Sequence, residues 1–334
     1  MMATDQSLSR LLEGRVKTKA NKTTDLKGKA SRVANRASEV MVKVSGNTKG
    51  PAHVKAHLDY ISRNGKLELE NERGEILKGK DDVRSVHKEW TQDQGKRRAN
   101  TRDTTNVVLS MPKGTNPKAV KDSARAFAKE QFGENHQYVF ALHEDVDHPH
   151  VHISIKNLGY DGRRLHVKKG DPQIWREGFA SELRKRGVDA EATPRASRGV
   201  VKKGVKQVIK HIRDKGITPE VDKAKIKEIV EEFKDVRVGK PAKPKPWEDK
   251  IKAKQQDVRK DWLSVAKELH GSEDKTDKKL SSDILDFVNT MPPMATERHE
   301  MAKAISEKIK GQSQQKDNSQ PNSKPGKNRE EDER

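Results

Sequence analysis

Between Tyr138 and Ile155 the chain reads as two short strands folded back on each other, and the turn between them carries an unusual load of imidazoles. The first run is Tyr138-Val139-Phe140-Ala141-Leu142. In the second, Val151, Ile153 and Ile155 alternate with His152 and Ser154, the period of a strand with one buried face. The turn and its flanks read His143-Glu144-Asp145-Val146-Asp147-His148-Pro149-His150-Val151-His152, which places four of the twelve histidines in ten residues. Strands at 137–143 and 150–157 separated by so short a turn must pair antiparallel. Val151, Ile153 and Ile155 then face a core, while His150 and His152 project together from the other side, close to His143.

Three neutral imidazoles supply nitrogen ligands and leave coordination positions open, the layout of a catalytic metal rather than a structural one. His143, His150 and His152 are therefore the candidate ligands. His148 shares the parity of the pair, but Pro149 disturbs the strand there, so it serves either as an outer partner or as plain surface. Asp145 and Asp147 stand where a carboxylate can accept the far N–H of a liganding imidazole, or simply form a solvated acidic loop.

Charge narrows the class of partner. Lys and Arg number 71 against 51 Asp and Glu, a formal charge of +20 spread along the whole chain, which points to a polyanion. Only 31% of the residues are hydrophobic and 4% aromatic, so one core of roughly 170 to 190 residues with polar flanks fits better than a single domain of full length. The absence of cysteine excludes disulfides, thiolate zinc sites and cysteine nucleophiles. No apolar run approaches the length needed to cross a bilayer, so a cytoplasmic chain without stable membrane insertion is expected.

Along the chain, residues 1–37 carry nine basic and three acidic side chains and read as a flexible basic arm. The expected catalytic domain spans 38–199. It opens with a strand through Val40, Val42 and Val44, followed by a helix from Pro51 to Gly65 with Val54, Leu58 and Ile61 on one side. A polar hairpin-like stretch leads to a helix near Asp81 to Gln94, then come the basic loop Lys96-Arg97-Arg98 and a strand from Thr105 to Met111. Asn116-Pro117 caps a helix whose stripe is Val120, Ala124, Phe127 and Ala128. Arg163 to Lys168 reads as a further strand, and a helix from Pro172 to Arg186 closes the domain. The fold class is α+β: an antiparallel sheet covered by helices, with an open face bearing the site and a small helical C-terminal region. Beyond it, residues 200–238 form a basic helical extension in which Lys202, Lys203, Lys206 and Lys210 oppose Val201, Val205, Val208 and Ile212, either facing DNA or plain solvent. A Lys/Pro linker at 239–246, a helical partner or secretion region at 247–310 and a disordered tail at 311–334 complete the order. Truncation after Pro219 is expected to leave the chemistry intact.

A metal on a basic protein suggests phosphodiester chemistry, and the attacking group has then to be found. Of the three tyrosines, Tyr138 lies in an apolar strand and Tyr160 in a Gly-flanked turn, whereas Tyr60 sits on the first helix in Leu58-Asp59-Tyr60-Ile61-Ser62-Arg63-Asn64-Gly65-Lys66-Leu67-Glu68-Leu69. This wording, together with Asn106-Val107-Val108-Leu109-Ser110-Met111-Pro112 and the histidine block, resembles the conjugative-plasmid relaxases of the histidine-hydrophobe-histidine endonuclease superfamily, and within it the T-DNA border endonuclease branch. The likeness runs from about Val40 to Gly199. It implies Tyr60 as nucleophile, Ser110 as a residue handling DNA near the cleaved site, and His143, His150 and His152 as the metal set. Arg63 and Lys66 in the tyrosine motif join the lysines of 202–210 as candidate DNA contacts. Rolling-circle initiators place the histidine motif first; here the tyrosine comes first.

The activity so implied is strand-specific nicking and rejoining at a plasmid transfer origin through a 5′-phosphotyrosyl intermediate. Asp145 and Asp147 are candidate bases for the phenol. Imidazole donors favour manganese or zinc by softness, while the resemblance admits magnesium; the expected cofactor is a divalent cation, Mg2+ or Mn2+, with Zn2+ as the alternative. Implied partners are single-stranded DNA at the origin, relaxosome accessory proteins, a coupling ATPase and a type IV secretion system, with export to the recipient cell bound to DNA. The branch's arginine-rich tail is not matched in Gly311–Arg334, which holds five basic and five acidic residues. The rival readings are a non-catalytic DNA-binding accessory protein of the relaxosome and a rolling-circle replication initiator.

Overall fold

The structure is a computed structural model and describes residues 2–13, 25–92, 98, 100–201, 204–241 and 244–317. In chain order the elements are α1 (Met2–Leu12), α2 (Leu26–Ala34), β1 (Ser38–Glu39), β2 (Met41–Thr48), α3 (Pro51–Ile61), β3 (Leu69–Asn71), β4 (Ile76–Leu77), α4 (Gly79–Gln92), β5 (Thr104–Ser110), α5 (Pro117–Phe132), β6 (Tyr138–His143) and β7 (His150–Lys156). They continue with α6 (Asp171–Arg184), β8 (Ala190–Glu191), a short 3-10 turn at Arg195–Arg198, α7 (Gln207–Asp214), α8 (Glu220–Arg237), α9 (Pro246–His270), α10 (Lys275–Asn289) and α11 (Glu297–Asp317). Contacts divide the chain into two compact units, Met1–Arg198 with Arg259–Met291, and Gly199–Val258 with Pro292–Arg334.

The first unit is built on a six-stranded sheet in the order β2-β5-β7-β6-β3-β4, with every neighbouring pair antiparallel. The alternation legible in the sequence sorts its residues. Val42, Leu109, Phe140, Val151, Ile153 and Ile155 face α5 and α6, where they pack with Phe127, Phe132, Trp175 and Phe179. Helix α5 starts as its capping pair predicts: the Asn116 side chain accepts from the backbone N–H groups of Lys118 and Ala119, and Pro117 occupies the first turn. On the other face, Val139 and Ala141 of β6 and Leu69 of β3 pack under α3 and α4 through Val54, Leu58, Ile61, Val83, Val86 and Trp90. The α+β class holds, with helices on both faces of the sheet.

Five expectations are corrected. Residues 2–12 and 26–34 are helices rather than a flexible arm, because Leu8, Leu11 and Leu12, and then Ala30, Val33 and Ala34, each form an apolar stripe that is buried. Their cover comes from far along the chain. Trp262 of α9 is fully buried and donates its indole N–H to the Ser197 carbonyl at 2.8 Å, the Ser197 hydroxyl donates to the Leu11 carbonyl, and α10 packs on α2, where Lys27 pairs with Asp277 at 2.7 Å. Residues 259–291 therefore complete the first unit, so 247–310 is not a separate region and Pro219 is not a boundary of the catalytic fold. Arg163 to Lys168 forms no strand among the described residues, only one bridge between Leu158 and Arg164. The helix expected from 201 shrinks to α7, since Gly204 interrupts the run, leaving Val205 and the cap Lys206 before its first turn. Finally, α11 continues to Asp317 inside the segment expected to be disordered, while 318–334, Lys202, Lys203, Lys96 and Arg97 lie outside the described residues.

Candidate active site

The hairpin register brings the imidazoles together. His143 at the end of β6 pairs with His150 at the start of β7, and Ala141 pairs with His152, so all three rings rise from the same face of the sheet. Their centroids are 4.5 Å (His143–His152), 5.2 Å (His150–His152) and 5.3 Å (His143–His150) apart, and one nitrogen from each lies within 4.8 Å of the others. Ser110 of β5 stands directly across from His150 and is buried at the margin of the cluster.

Hydrogen bonds fix which nitrogens are free. His143 is 1% exposed, and its Nε2–H donates to the carbonyl of Ile61 at 2.8 Å. Its Nδ1 is buried without a partner among the described residues, an orphaned lone pair aimed into the cluster. His150 donates from Nδ1 to the His148 carbonyl at 3.3 Å, which leaves Nε2 as its acceptor atom. Burial, followed by the neighbouring imidazoles and Arg63, pushes His152 down to about 3, and burial lowers His143 from its ordinary value as well. Neutral imidazoles with free lone pairs are what a divalent cation requires of its ligands; the three residues fit that role.

The Ile61 carbonyl also places the phenol. It belongs to the last turn of α3, so the bond that sets the His143 tautomer ties the preceding residue, Tyr60, to the cluster. The entry of α3 is fixed at the other end, where the Asp103 carboxylate accepts from the Gly50 N–H at 2.5 Å. Tyr60 is 51% exposed, and its ring sits edge-on to His152 at 5.5 Å and tilted to His143 at 6.3 Å. The Arg63 guanidinium lies over the same ring, 5.0 Å from its centroid, and hydrogen-bonds to Asp145.

The acidic residues therefore stand differently from the sequence expectation. Asp145 is bound to Arg63 and Asp147 to Lys113 at 2.9 Å, while the imidazole N–H groups of His143 and His150 go to backbone carbonyls. A backbone acceptor has no sequence signal. Lys66 is exposed beyond α3, and Lys206 and Lys210 are exposed on the second unit.

One residue escaped the sequence reading. His57 stacks on Tyr60 with centroids 6.2 Å apart and an interplanar angle of 28°, and its Nε2 is buried without a partner among the described residues. Burial lowers it to about 4. Its signal was the three-residue spacing to Tyr60, which puts both side chains on one helical face.

Comparison with known proteins agrees with this geometry. Residues 60–188 match the family described as "Relaxase: MobA/VirD2-like, nuclease domain". The chain is 28% identical over 189 residues to the T-DNA border endonuclease VirD2 of Rhizobium radiobacter, covering 50% of this chain and 45% of that protein. It is 26% identical to the protein of the same name from Agrobacterium fabrum strain C58, again over 50% of this chain and 42% of the relative. A 43 kDa relaxation protein of Salmonella typhimurium is 24% identical over 176 residues, 48% of this chain and 46% of its own length. The chain thus spans less than half the length of these curated relatives. No helix among the described residues is long and apolar enough to cross a membrane.

Proposed function

We propose that the chain, whose residues 60–188 match the MobA/VirD2-like relaxase nuclease domain, nicks and rejoins one DNA strand at a plasmid transfer origin. The observation that carries the reading is the approach of Tyr60 to the imidazole cluster, 5.5 Å from the His152 ring and 6.3 Å from that of His143. A phenol alone is a poor nucleophile, and three imidazoles alone are a metal site; together they make a transesterification centre.

In this reading the Tyr60 oxygen attacks the scissile phosphorus, the bond from phosphorus to the 3′ oxygen breaks, and that oxygen leaves as a hydroxyl after taking up a proton. The strand's 5′ phosphate is then esterified to Tyr60. One phosphodiester is exchanged for another, so the released 3′ hydroxyl can attack the phosphotyrosine and restore the strand without an outside energy source. His143 Nδ1, His150 Nε2 and a nitrogen of His152 would hold a divalent cation, Mg2+ or Mn2+, or alternatively Zn2+, which supplies Lewis-acid stabilisation to the non-bridging oxygens. Ser110, across from His150 on β5, is the proposed contact to the strand next to the phosphate. The formal charge of +20 suits a polyanionic substrate, with Lys66, Lys202, Lys203, Lys206 and Lys210 as its candidate contacts. Transfer of the bound strand would engage accessory DNA-binding proteins, a coupling ATPase and a type IV secretion system.

The test is direct. The full chain is incubated with a single-stranded origin oligonucleotide and Mg2+ or Mn2+, then denatured in SDS. A protein-DNA adduct formed by wild type and absent from Tyr60→Phe, with unchanged oligonucleotide affinity, is the expected result. DNA binding with no adduct under any divalent metal would replace this reading with a binding role.

A further inference from the structure

A tyrosine half exposed on a helix has more than one open rotamer, yet an in-line attack needs the phenol held in one direction. Arg63 is the neighbour best placed to hold it. Its guanidinium lies 5.0 Å above the ring centroid, within the range of a cation–π contact.

The backbone aims that side chain at some cost. Arg63, Asn64 and Gly65 take φ values of 51°, 58° and 82° in succession, all left-handed. A glycine adopts this region freely and an asparagine is tolerated there, but an arginine is uncommon. The turn is held by bonds from Asn64 N–H to the Asp59 carbonyl at 2.7 Å and from Leu67 N–H to the Ser62 carbonyl at 2.8 Å. Gly65 also lies so close to the start of α4 that an added Cβ would come within 2.6 Å of the Gly79 carbonyl carbon. Strain of this sort persists where the surroundings over-determine it, and here it turns Arg63 back over the ring of Tyr60.

Arg63 is fastened at its far end by Asp145, which lies in the turn between His143 and His150. The side chains of the pair are 33% and 51% exposed, so the bond contributes little to stability; its consequence is where the guanidinium sits. We propose that Asp145 is a positioning residue acting through Arg63: their ion pair clamps the Tyr60 ring between the guanidinium and His57 and keeps the phenol directed at the imidazole cluster. The clamp ties the helix bearing the nucleophile to the turn bearing the ligands a second time, alongside the Ile61–His143 bond. This rests on the reading of Tyr60 as nucleophile, and it differs from Arg63 serving as a plain phosphate contact.

The two roles separate kinetically. In single-turnover cleavage at saturating oligonucleotide, Asp145→Asn and Arg63→Met should each slow adduct formation about tenfold, within the roughly hundredfold that a misplacement of about 1 Å costs, with the dissociation constant for DNA unchanged. The double variant should be no slower than either single one, and Asp145→Glu should recover most of the rate. Melting temperatures matching wild type exclude loss of fold, as expected for an exposed pair. An Asp145→Asn protein that cleaves at the wild-type rate overturns the proposal, and tighter DNA binding in it would make Arg63 a phosphate contact screened by Asp145. A loss confined to affinity overturns it too. Wild-type protein that forms no Tyr60 adduct overturns the functional reading as well, which distinguishes the two failures.

Discussion

The two faces of the central sheet share the same strands and answer to different demands. Toward α5 and α6 the central inward positions are apolar: Val42, Leu109, Phe140, Val151, Ile153 and Ile155 pack with the rings of Phe127, Phe132, Trp175 and Phe179. Toward α3 and α4 the alternate positions of the same strands are Asn106, Ser110, His143, His152 and Ser154, all buried. Ser154 and Thr104 both donate to the Asn106 side-chain oxygen, at 3.1 and 3.0 Å, whereas His143 Nδ1 is left without a partner among the described residues. A buried polar atom left unsatisfied costs roughly 1 to 3 kcal/mol. One face maximises stability, and the other gives up part of it to keep lone pairs available.

The contrast breaks if activity and stability fail to separate by face. On the polar face, His152→Ala should abolish adduct formation, and chelation of the wild-type protein should do the same, while His148→Ala retains most of the activity; equal losses at His148 and His152 would dissolve the proposed ligand set. The melting temperature of His152→Ala should stay within a few degrees of wild type.

Larger losses of stability belong elsewhere. Trp262→Ala should cost about 3 to 5 kcal/mol, as for buried aromatic residues generally, because the ring is fully buried and its N–H holds the Ser197 carbonyl. Chemical denaturation would measure it, and an effect below about 1 kcal/mol would show that residues 259–291 do not complete the first unit. On the apolar face Ile153→Ala should cost about 2 to 5 kcal/mol, with the activity of the remaining folded fraction unchanged.

The hairpin, the metal candidates and the amphipathic helices could be read from the sequence because each depends on local alternation or spacing. Val151, Ile153 and Ile155 define a strand whatever else the chain does. Three features could not be read, for a common reason: they depend on partners remote in sequence or on backbone atoms. Leu8, Leu11 and Leu12 look too sparse to support order, yet they are buried, and α1 packs on α2 and is tied through Ser197 to Trp262 and through Arg10 to Asp261, more than two hundred residues later. The Ile61 carbonyl that sets the His143 tautomer carries no residue signature. Asp145 reads as an acceptor for an imidazole N–H because it is adjacent to the histidines in sequence, yet a side chain 82 positions away takes its carboxylate.

The smallest expected effect sharpens the comparison between faces through pH. His152 and His57 are held at about 3 and about 4 in the folded protein, below the ordinary imidazole value near 6.5. Between pH 6.5 and 4 the unfolded chain therefore binds protons that the folded one does not, so stability without metal falls as the pH is lowered through that window and is flat above it. Melting in the presence of a chelator at pH 7 and pH 5 should show this decline, and His57→Gln should reduce its slope. Ile153→Ala should lower both values by the same amount. A decline of equal slope in His57→Gln and wild type would remove that imidazole from the account.

The central claim is that Tyr60 becomes covalently joined to the 5′ phosphate of the nicked strand. After reaction with an origin oligonucleotide and a divalent metal, nuclease trimming and tryptic digestion, mass spectrometry of the peptide from Ala56 to Arg63 reads it directly. The nucleotide mass is expected on Tyr60 itself, with the peptide unmodified when His152→Ala is used. A nucleotide on Tyr138, on Tyr160 or on a residue outside this peptide, or cleaved DNA with no covalent protein product, would contradict it.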